Sequence, residues 1–489
     1  MPNKTTSESA LFTSFQQQIS RSELDQFLSG IENINSGSAP NYLAFSISLS
    51  PVDLLAVVEQ DHLKNSFQYY WEKPVDDFAM AASGEMERLT AHGESRFRDS
   101  SKKGKEVLSR IHHLKGIKHQ NAVVHLFGGF SFFDENNSDS WSSFDSSSFT
   151  LPEWMIIREG KCCILTFLIN YDQASSISEI ESEISNKLAE LDHITNADQY
   201  SLNPVLDQGF SINPPDNDSK EYFQWIENIK RAKDAIKEGR FEKVVFARQL
   251  RIKLDQKIKD THILNRLRFQ YPDCYSFLIR QDGESSFIGC TPERLASFNS
   301  KYVLTEGLAG STSRGKTASE DAVLEYNLLH SSKDLHEHEI VLDAIEENLE
   351  HYSDEVQHPK SPQIKKLSNV QHLFTPITAK IKEGVSRTEV LKTLHPTPAV
   401  GGFPKDKAVE FIKEHEDFNR GWYASPIGWI NAHGNGEFIV AIRSGLIKHN
   451  EVRFFAGCGI VQDSDPEKEW EETNLKFIPM LTALEYAGT

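Results

Sequence analysis

Two carboxylates and an ammonium on one side of a single helix are the densest chemistry in this sequence. Glu469, Glu472 and Lys476 stand at i, i+3 and i+7, and residues three and four apart are neighbours on a helix surface. Trp470, Phe477, Leu481 and Leu484 predict the buried stripe of that helix, with Asp465 as N-cap and Pro466 at its first position. Just before it come two strand-like runs, 438–447 and 452–456, with Arg443 in the middle of the first and Gly457, Cys458 and Gly459 after the second. A guanidinium in so apolar a run, in a sheet covered on both faces, needs an anion, and its fork fits a carboxylate. The glycines, as a turn, let backbone N–H groups approach a ligand closely. The block therefore reads as an anion and metal site. Taken alone, Glu472 and Lys476 have a plainer reading, a surface ion pair that stabilises by about 0.2–0.5 kcal/mol.

The elements that must position this block are legible in part. The first half mixes short apolar strands such as YLAFSISL with a basic, helix-like stretch at 102–118 and a Ser/Asn/Asp loop at 134–148 anchored by Trp141 and Phe144. Strands at 155–157 and 162–169, a helix at 177–191 and a proline-bearing connection at 203–218 follow. In the second half, Trp225, Ile226, Ile229, Ala232 and Ile236 recur at helical spacing and Gly239 is placed as the C′ residue. KVVFARQLRIKL then reads as a strand with Lys243 at its start, 260–271 as a helix ended by Pro272, and YSFLIRQDGESSFIGC as a hairpin with an Asp-Gly turn. Glu337 falls on the apolar side of a helix, with Val341 and Ile345 at i+4 and i+8. A buried acid there needs a partner. His336 and His338, two apart, point to opposite sides of that helix and do not make a two-histidine zinc site. The predicted fold class is α+β, with large mixed or antiparallel β-sheets flanked by helices. Residues 1–215 and 216–489 are expected to form one intertwined unit.

Several words of this sequence resemble a known family. IRSG, FFAGCGIVQDSDPEKEWEET and the Lys476 that follows are similar to the C-terminal signature of the chorismate-utilising enzymes. That family includes isochorismate synthase, salicylate synthase, anthranilate synthase component I and aminodeoxychorismate synthase component I. FQYYWEKP and the stretch from HLFGGFSFF to LPEWMII resemble its N-terminal half more loosely. The resemblance implies the anthranilate synthase component I-like, chorismate-binding fold.

It also implies roles, residue by residue. Lys243 would be the general base that activates water, where the aminating relatives have glutamine; unaided, it reads as a solvated lysine at a strand edge. To act so, its pKa must fall by several units, through burial and neighbouring cations such as Lys476, Arg443 or a metal. Glu293, in CTPERL, would protonate the departing C4 hydroxyl, for which burial or a second carboxylate must raise its pKa; its plainer reading is a Glu–Arg surface pair. Magnesium would be shared by Glu337 and Glu472, with Glu469 beside them. Gly310 in GLAGSTSRG, His372 in VQHLFTP, Ala399 in HPTPAVGG, Tyr423 in GWYASPIGW, Arg443, Gly457, Gly459 and Lys476 would line the substrate. Alone, His372 reads as a core histidine. Three residues depart from the family pattern: Ser311 replaces a threonine, Glu306 a frequent proline and Ser425 a glycine.

Ala309, Ala399 and Lys243 stand where aminating relatives carry lysine, threonine and glutamine, so water is the expected nucleophile. HPTPAVGGFP is more similar to the isochorismate synthases than to the salicylate synthases. The expected activity is magnesium-dependent conversion of chorismate to isochorismate. The alternatives are salicylate synthesis and a partner-dependent, amidotransferase-coupled subunit. The pathway, to menaquinone or to siderophores, stays open.

Composition sets the outer limits. The chain of 489 residues suits one large domain or two to three ordinary ones, and its net charge of −19 argues against nucleic acid and anionic membranes. It also requires a locally positive site for an anionic substrate, which Arg443, Lys476 and a metal would supply. No apolar run has the length of a membrane helix and residues 1–30 are polar, so a cytoplasmic protein is expected. The five cysteines include no CxxC pair, and Cys162 and Cys163 sit in a strand-like run, which favours reduced core thiols. The expected partner is chorismate alone, with no obligatory glutaminase, in a monomer or weak dimer.

Overall fold

Short runs rich in β-branched and aromatic residues recur along the chain, and in the computed structural model they become, among the described residues, 22 strands in two sheets. The described residues are Phe27, Ser29, Gly30 and 41–487, apart from 61–65, 115–116, 118, 137, 173, 193, 195–218, 256–257 and 368–369. The predicted connection at 203–218 lies outside them.

The first half supplies β1 (Tyr42–Leu49), α1 (Leu54–Gln60), β2 (Gln68–Lys73), β3 (Phe78–Ser83), β4 (Glu87–Ala91), α2 (Arg96–Ser109), β5 (Ile111–Leu114), β6 (His125–Phe130), β7 (Ser147–Leu151), β8 (Trp154–Glu159), β9 (Cys162–Asn170) and α3 (Ile177–Leu191). The second supplies α4 (Lys220–Lys237), β10 (Lys243–Lys253), α5 (Asp260–Gln270), β11 (Tyr275–Arg280), β12 (Ser285–Thr291), β13 (Arg294–Asn299) and β14 (Tyr302–Ser313). Then come α6 (Ala318–His330), α7 (Ser332–Glu350), β15 (Ser353–Gln357), β16 (Gln363–Lys366), β17 (Val370–Ile381), α8 (Arg387–Leu394), β18 (Gly402–Phe403) and α9 (Lys405–His415). The chain ends with β19 (Pro426–Asn431), β20 (Gly436–Val440), β21 (Ser444–Lys448), β22 (Glu451–Ile460) and α10 (Pro466–Ala487).

One sheet runs β18-β10-β22-β21-β12-β11-β2-β3-β8-β9-β1-β5; the other runs β15-β17-β14-β13-β20-β19-β6-β7-β4, with β16 also on β17. Among the described residues every pairing is antiparallel except β1 with β5. Early and late strands are neighbours in both sheets, β2 beside β11 and β6 beside β19. The sheets share one apolar core, with Tyr69, Trp71, Phe287 and Phe455 from the first meeting Phe127, Phe130, Phe149 and Phe438 from the second. The far face of the first sheet is covered by α1, α3, α5 and α10, through residues such as Val57, Ile184, Leu267 and Phe477. Covering both faces is why its strands read as continuous apolar runs. The α+β architecture is the one expected.

Three local expectations are corrected. The helix-like stretch at 102–118 ends at Ser109, because Ile111–Leu114 pairs parallel to β1 instead. The run 438–447 is two strands in different sheets: β20 ends at Val440, and β21 starts at Ser444 after Arg443 takes a left-handed conformation, φ 50°. An apolar run supports either sheet equally, so the crossing leaves no trace in the pattern. Gly457, Cys458 and Gly459 lie inside β22, not in a turn after it. Asp465 caps α10 as expected, accepting from the N–H groups of Glu467 (3.0 Å) and Lys468 (3.2 Å). Trp141 and Phe144 are buried anchors, and His336 and His338 face opposite ways, the first exposed and the second buried. The five cysteines are free thiols. Among the described residues no helix is long and apolar enough to cross a membrane.

Candidate active site

Lys243 begins β10, but not at an edge, because β18 pairs beyond it with Phe403 opposite Lys243. On the other side Val245 pairs with Gly459. A Cβ on Gly459 would stand 2.7 Å from Lys243 Cε and 3.4 Å from its Nζ, so the missing side chain is the channel through which the lysine runs. Its Nζ donates to Glu337 Oε1 at 2.6 Å. This corrects the expectation of cationic neighbours, since the group that touches the ammonium is a carboxylate. Glu337 sits on α7 above the buried Val341 and Ile345, as expected. Burial opposes its ionisation, but the charge and hydrogen bond of Lys243 outweigh burial and hold it below the ordinary carboxylate range.

A second pair lies along the same strand. Lys476 Nζ donates to Glu472 Oε1 (2.6 Å) and to the Gly457 carbonyl (2.7 Å). The ion pair of the plainer reading is therefore present, and it also docks α10 onto β22. β21 pairs with β22 only as far as Phe455, since the chain before Ser444 belongs to the other sheet. Among the described residues no strand pairs with that edge of β22 from Ala456 onward, the stretch that holds Gly457, whose carbonyl receives Lys476, and Gly459, beside Lys243. Glu469 is turned toward Ser464; burial and then Glu472 raise its pKa. Among the described residues no three metal-binding side chains are gathered, so Glu469 does not complete a three-carboxylate cluster with Glu337 and Glu472.

Glu293 occupies the junction of β12 and β13 and is 8 % exposed. Its N–H donates to Thr291 Oγ1 (3.2 Å) and its carbonyl accepts from Val440 N (3.1 Å), which pins the junction to β20 just before the Arg443 crossing. No Glu293–Arg294 pair forms, because Arg294 Nε donates to Glu437 (2.9 Å) and to Tyr275 (3.1 Å). Burial first and the Glu306 carboxylate second push Glu293 up to about 7, against Lys365, Arg443 and Lys243. Arg443, whose own pKa burial lowers, is the charge common to the site: it acts on Glu293, His372 and Tyr423 and is itself acted on by Glu472. His372 Nδ1 lies 2.6 Å from Ser311 Oγ. Burial, then Arg443, Lys365 and Lys476, pull that imidazole down to about 4, so it is neutral at pH 7.

The other expected residues frame these. Gly310 has φ 74° and forms a bulge between β14 and β17; a Cβ there would press on Asp334 and Leu373 at 3.1 Å. Tyr423 is buried and stacked on Phe455, with ring centroids 5.0 Å apart. Ala399 is half-buried in the turn closed by Val400 N and Gly401 N on the Thr397 carbonyl. Ser425 is accommodated because its one hydroxyl proton has two carbonyls in reach, those of Phe130 (2.7 Å) and Trp422 (2.6 Å).

Sequence reasoning missed two ion pairs around the site, one fully buried and one reaching the rim. Arg420 pairs with Glu416 and donates to the carbonyls of Val400 (2.9 Å) and Val245 (2.8 Å), tying the Ala399 turn to β10. Nothing in FNRGWY signals it. Lys365 donates to Glu306 at 2.8 Å; here the signal was the departure at Glu306. Glu337 and Glu472, each bonded to a lysine through Oε1, offer carboxylate oxygens alone, a donor type that suits magnesium better than zinc.

The sequence profile of the chorismate binding enzymes matches residues 28–485. The chain belongs to the family of chorismate-binding enzymes. It is 33% identical over 477 residues to isochorismate synthase MenF of Bacillus subtilis, covering 96% of this chain and 98% of that protein. It is 35% identical to the salicylate biosynthesis isochorismate synthase of Pseudomonas aeruginosa, covering 92% and 91%. The structure of MenF, the menaquinone-specific isochorismate synthase of Escherichia coli, superposes with a TM-score of 0.75 at 26% identity, covering 94% of this chain and 100% of that one. Anthranilate synthase component I of Streptococcus pneumoniae shares the fold, with a TM-score of 0.67 at 21% identity over 83% of this chain and 92% of that one.

Proposed function

We propose that this chorismate-binding enzyme converts chorismate to isochorismate and back, as an isomerase, with Lys243 as base and Glu293 as acid. Lys243 takes a proton from water as its oxygen bonds to C2, the ring double bonds shift, and the C4–O bond breaks as Glu293 protonates that oxygen. One water enters and one leaves, so the reaction balances without a redox partner. The observation that carries this reading is the buried Glu293 carboxyl, which burial pushes up to about 7, with a lysine channelled past Gly459 among the charges that act on it. A carboxylic acid with a pKa near 7 still holds a proton to donate at neutral pH, and proton transfer of this kind contributes about 10²–10⁴-fold. Lys243 must part from Glu337 before it can accept a proton, since an ammonium paired with a carboxylate is not a base.

Arg443, with the Gly457 and Gly459 backbone at the open edge of β22, would hold the pyruvyl carboxylate, and neutral His372 with Ser311 would meet the ring hydroxyl side. Lys476 and Lys365 add the local positive charge that a dianion needs on a chain of net charge −19. Magnesium, held by Glu337 and Glu472, would supply charge neutralisation for the ring carboxylate.

The test is the product formed by the purified chain from chorismate and magnesium. An isochorismatase-coupled assay should report isochorismate reaching a reversible equilibrium, while a lactate-dehydrogenase-coupled assay should detect no pyruvate. Stoichiometric pyruvate without added isochorismatase would make it a salicylate synthase. No consumption of chorismate without a glutaminase partner would make it a coupled subunit.

A further inference from the structure

Glu306 is an anion placed where solvent does little to screen it. Its side chain is 8 % exposed, Oε1 accepts from Lys365 Nζ at 2.8 Å, and the same oxygen lies 3.4 Å from the backbone nitrogen of Arg294, the residue after Glu293. Lys365 comes from β16, a short strand laid on β17 with Lys365 opposite His372, and its side chain is 27 % exposed. A surface ion pair has no need to reach inside a sheet. This one brings a carboxylate against the backbone of the residue next to the acid while its counter-ion stays at the rim.

We propose that Glu306, tethered by Lys365, is a positioning residue for the acid: it keeps an anion beside Glu293 so that the proton stays on that carboxyl until the C4 oxygen departs. This rests on the assignment of Glu293 as the acid. The charges that act most strongly on Glu293 are Glu306 from β14, Lys365 from β16, Arg443 from the sheet crossing and Lys243 from β10. Three of the four are cations and favour the carboxylate; Glu306 alone opposes them. Without it the site that gathers cations for a dianionic substrate would also strip the proton from its own acid. Glu306 and Lys365 thus let one pocket be attractive to anions and still hold a neutral carboxylic acid, two requirements that otherwise conflict.

The prediction has a sign for each partner. In E306Q the anion is gone and Lys365 is unpaired, so the alkaline limb of kcat/KM against pH should move to lower pH by about one unit or more. In K365M the Glu306 anion is uncompensated, and the same limb should move to higher pH. Both profiles are read on the full-length chain with chorismate and magnesium, beside E293Q as reference. A ¹³C-carboxyl NMR titration, with the Glu293 resonance identified by its loss in E293Q, should move in the same two directions and needs no turnover. Opposite shifts in the two variants support the tether. Alkaline limbs and titration curves that coincide with the parent overturn it, while loss of turnover in E293Q shows the acid assignment still standing. Full turnover in E293Q overturns the acid assignment itself and the tether with it.

Discussion

Replacing Glu293 by glutamine should make the protein more stable and nearly inactive, and the stability gain should depend on pH. The carboxyl is raised from 4.5 to about 7 chiefly by burial. Between those values the folded state keeps a proton that the unfolded chain has released, so stability falls as pH rises through the window. At 1.36 kcal/mol per unit the full cost is about 3 kcal/mol, reached above pH 7, and less than about 1 kcal/mol at pH 5. Glutamine has nearly the same shape and cannot ionise, so E293Q escapes the cost. For a chain of 489 residues the unfolding entropy is on the order of 1 kcal/mol/K, so the midpoint of E293Q relative to the parent should rise by about 3 °C more at pH 8 than at pH 4.5. Any constant effect of the amide cancels in that difference. Paired thermal unfolding curves at the two pH values measure it, alongside turnover, which should drop by about 10²–10⁴-fold. A difference in midpoint that is the same at both pH values would mean that Glu293 ionises normally in the fold, and the acid role would lose its physical basis.

Lys243→Met should lower turnover by about 10²–10⁴-fold with chorismate binding retained, checked by kcat together with substrate titration; near-parent kcat would remove Lys243 as the base. Gly459→Ala places a methyl 2.7 Å from Lys243 Cε. A flexible side chain can give way cheaply, so the unfolding midpoint should barely move while kcat falls by about 10²-fold through misplacement of the amine; an unchanged kcat would show that the channel is not needed. Glu337→Ala or Glu472→Ala should abolish magnesium dependence and activity together, and a chelator should reproduce this reversibly in the parent. Full rate in the chelated enzyme would leave these glutamates as ordinary ion pairs.

Much of the site is legible in the residues themselves because its chemistry is local along the chain. The α10 helix announces its cap, its stripe and the Glu472–Lys476 pair through spacings of three and four, which a helix turns directly into proximity. Glu337 above Val341 and Ile345, the hairpin around Asp282–Gly283 and the helix closed by Gly239 follow from the same short-range rules, as does the α+β class. Resemblance adds the roles of Lys243 and Glu293, which no local spacing connects. What the sequence does not express is pairing between distant strands. The crossing at Arg443 hides in an apolar run because either sheet would accept it. The glycines at 457 and 459 look like a turn until β10 is laid against β22 and Lys243 is found to need the space. Lys243 meets Glu337 across 94 positions, and Lys365 meets Glu306 across 59. These contacts depend on sheet register, which is set by the burial of both faces at once. Residue types along the chain therefore determined which chemistry was available, and the tertiary packing decided which charges face each other and which carboxyl burial pushes upward.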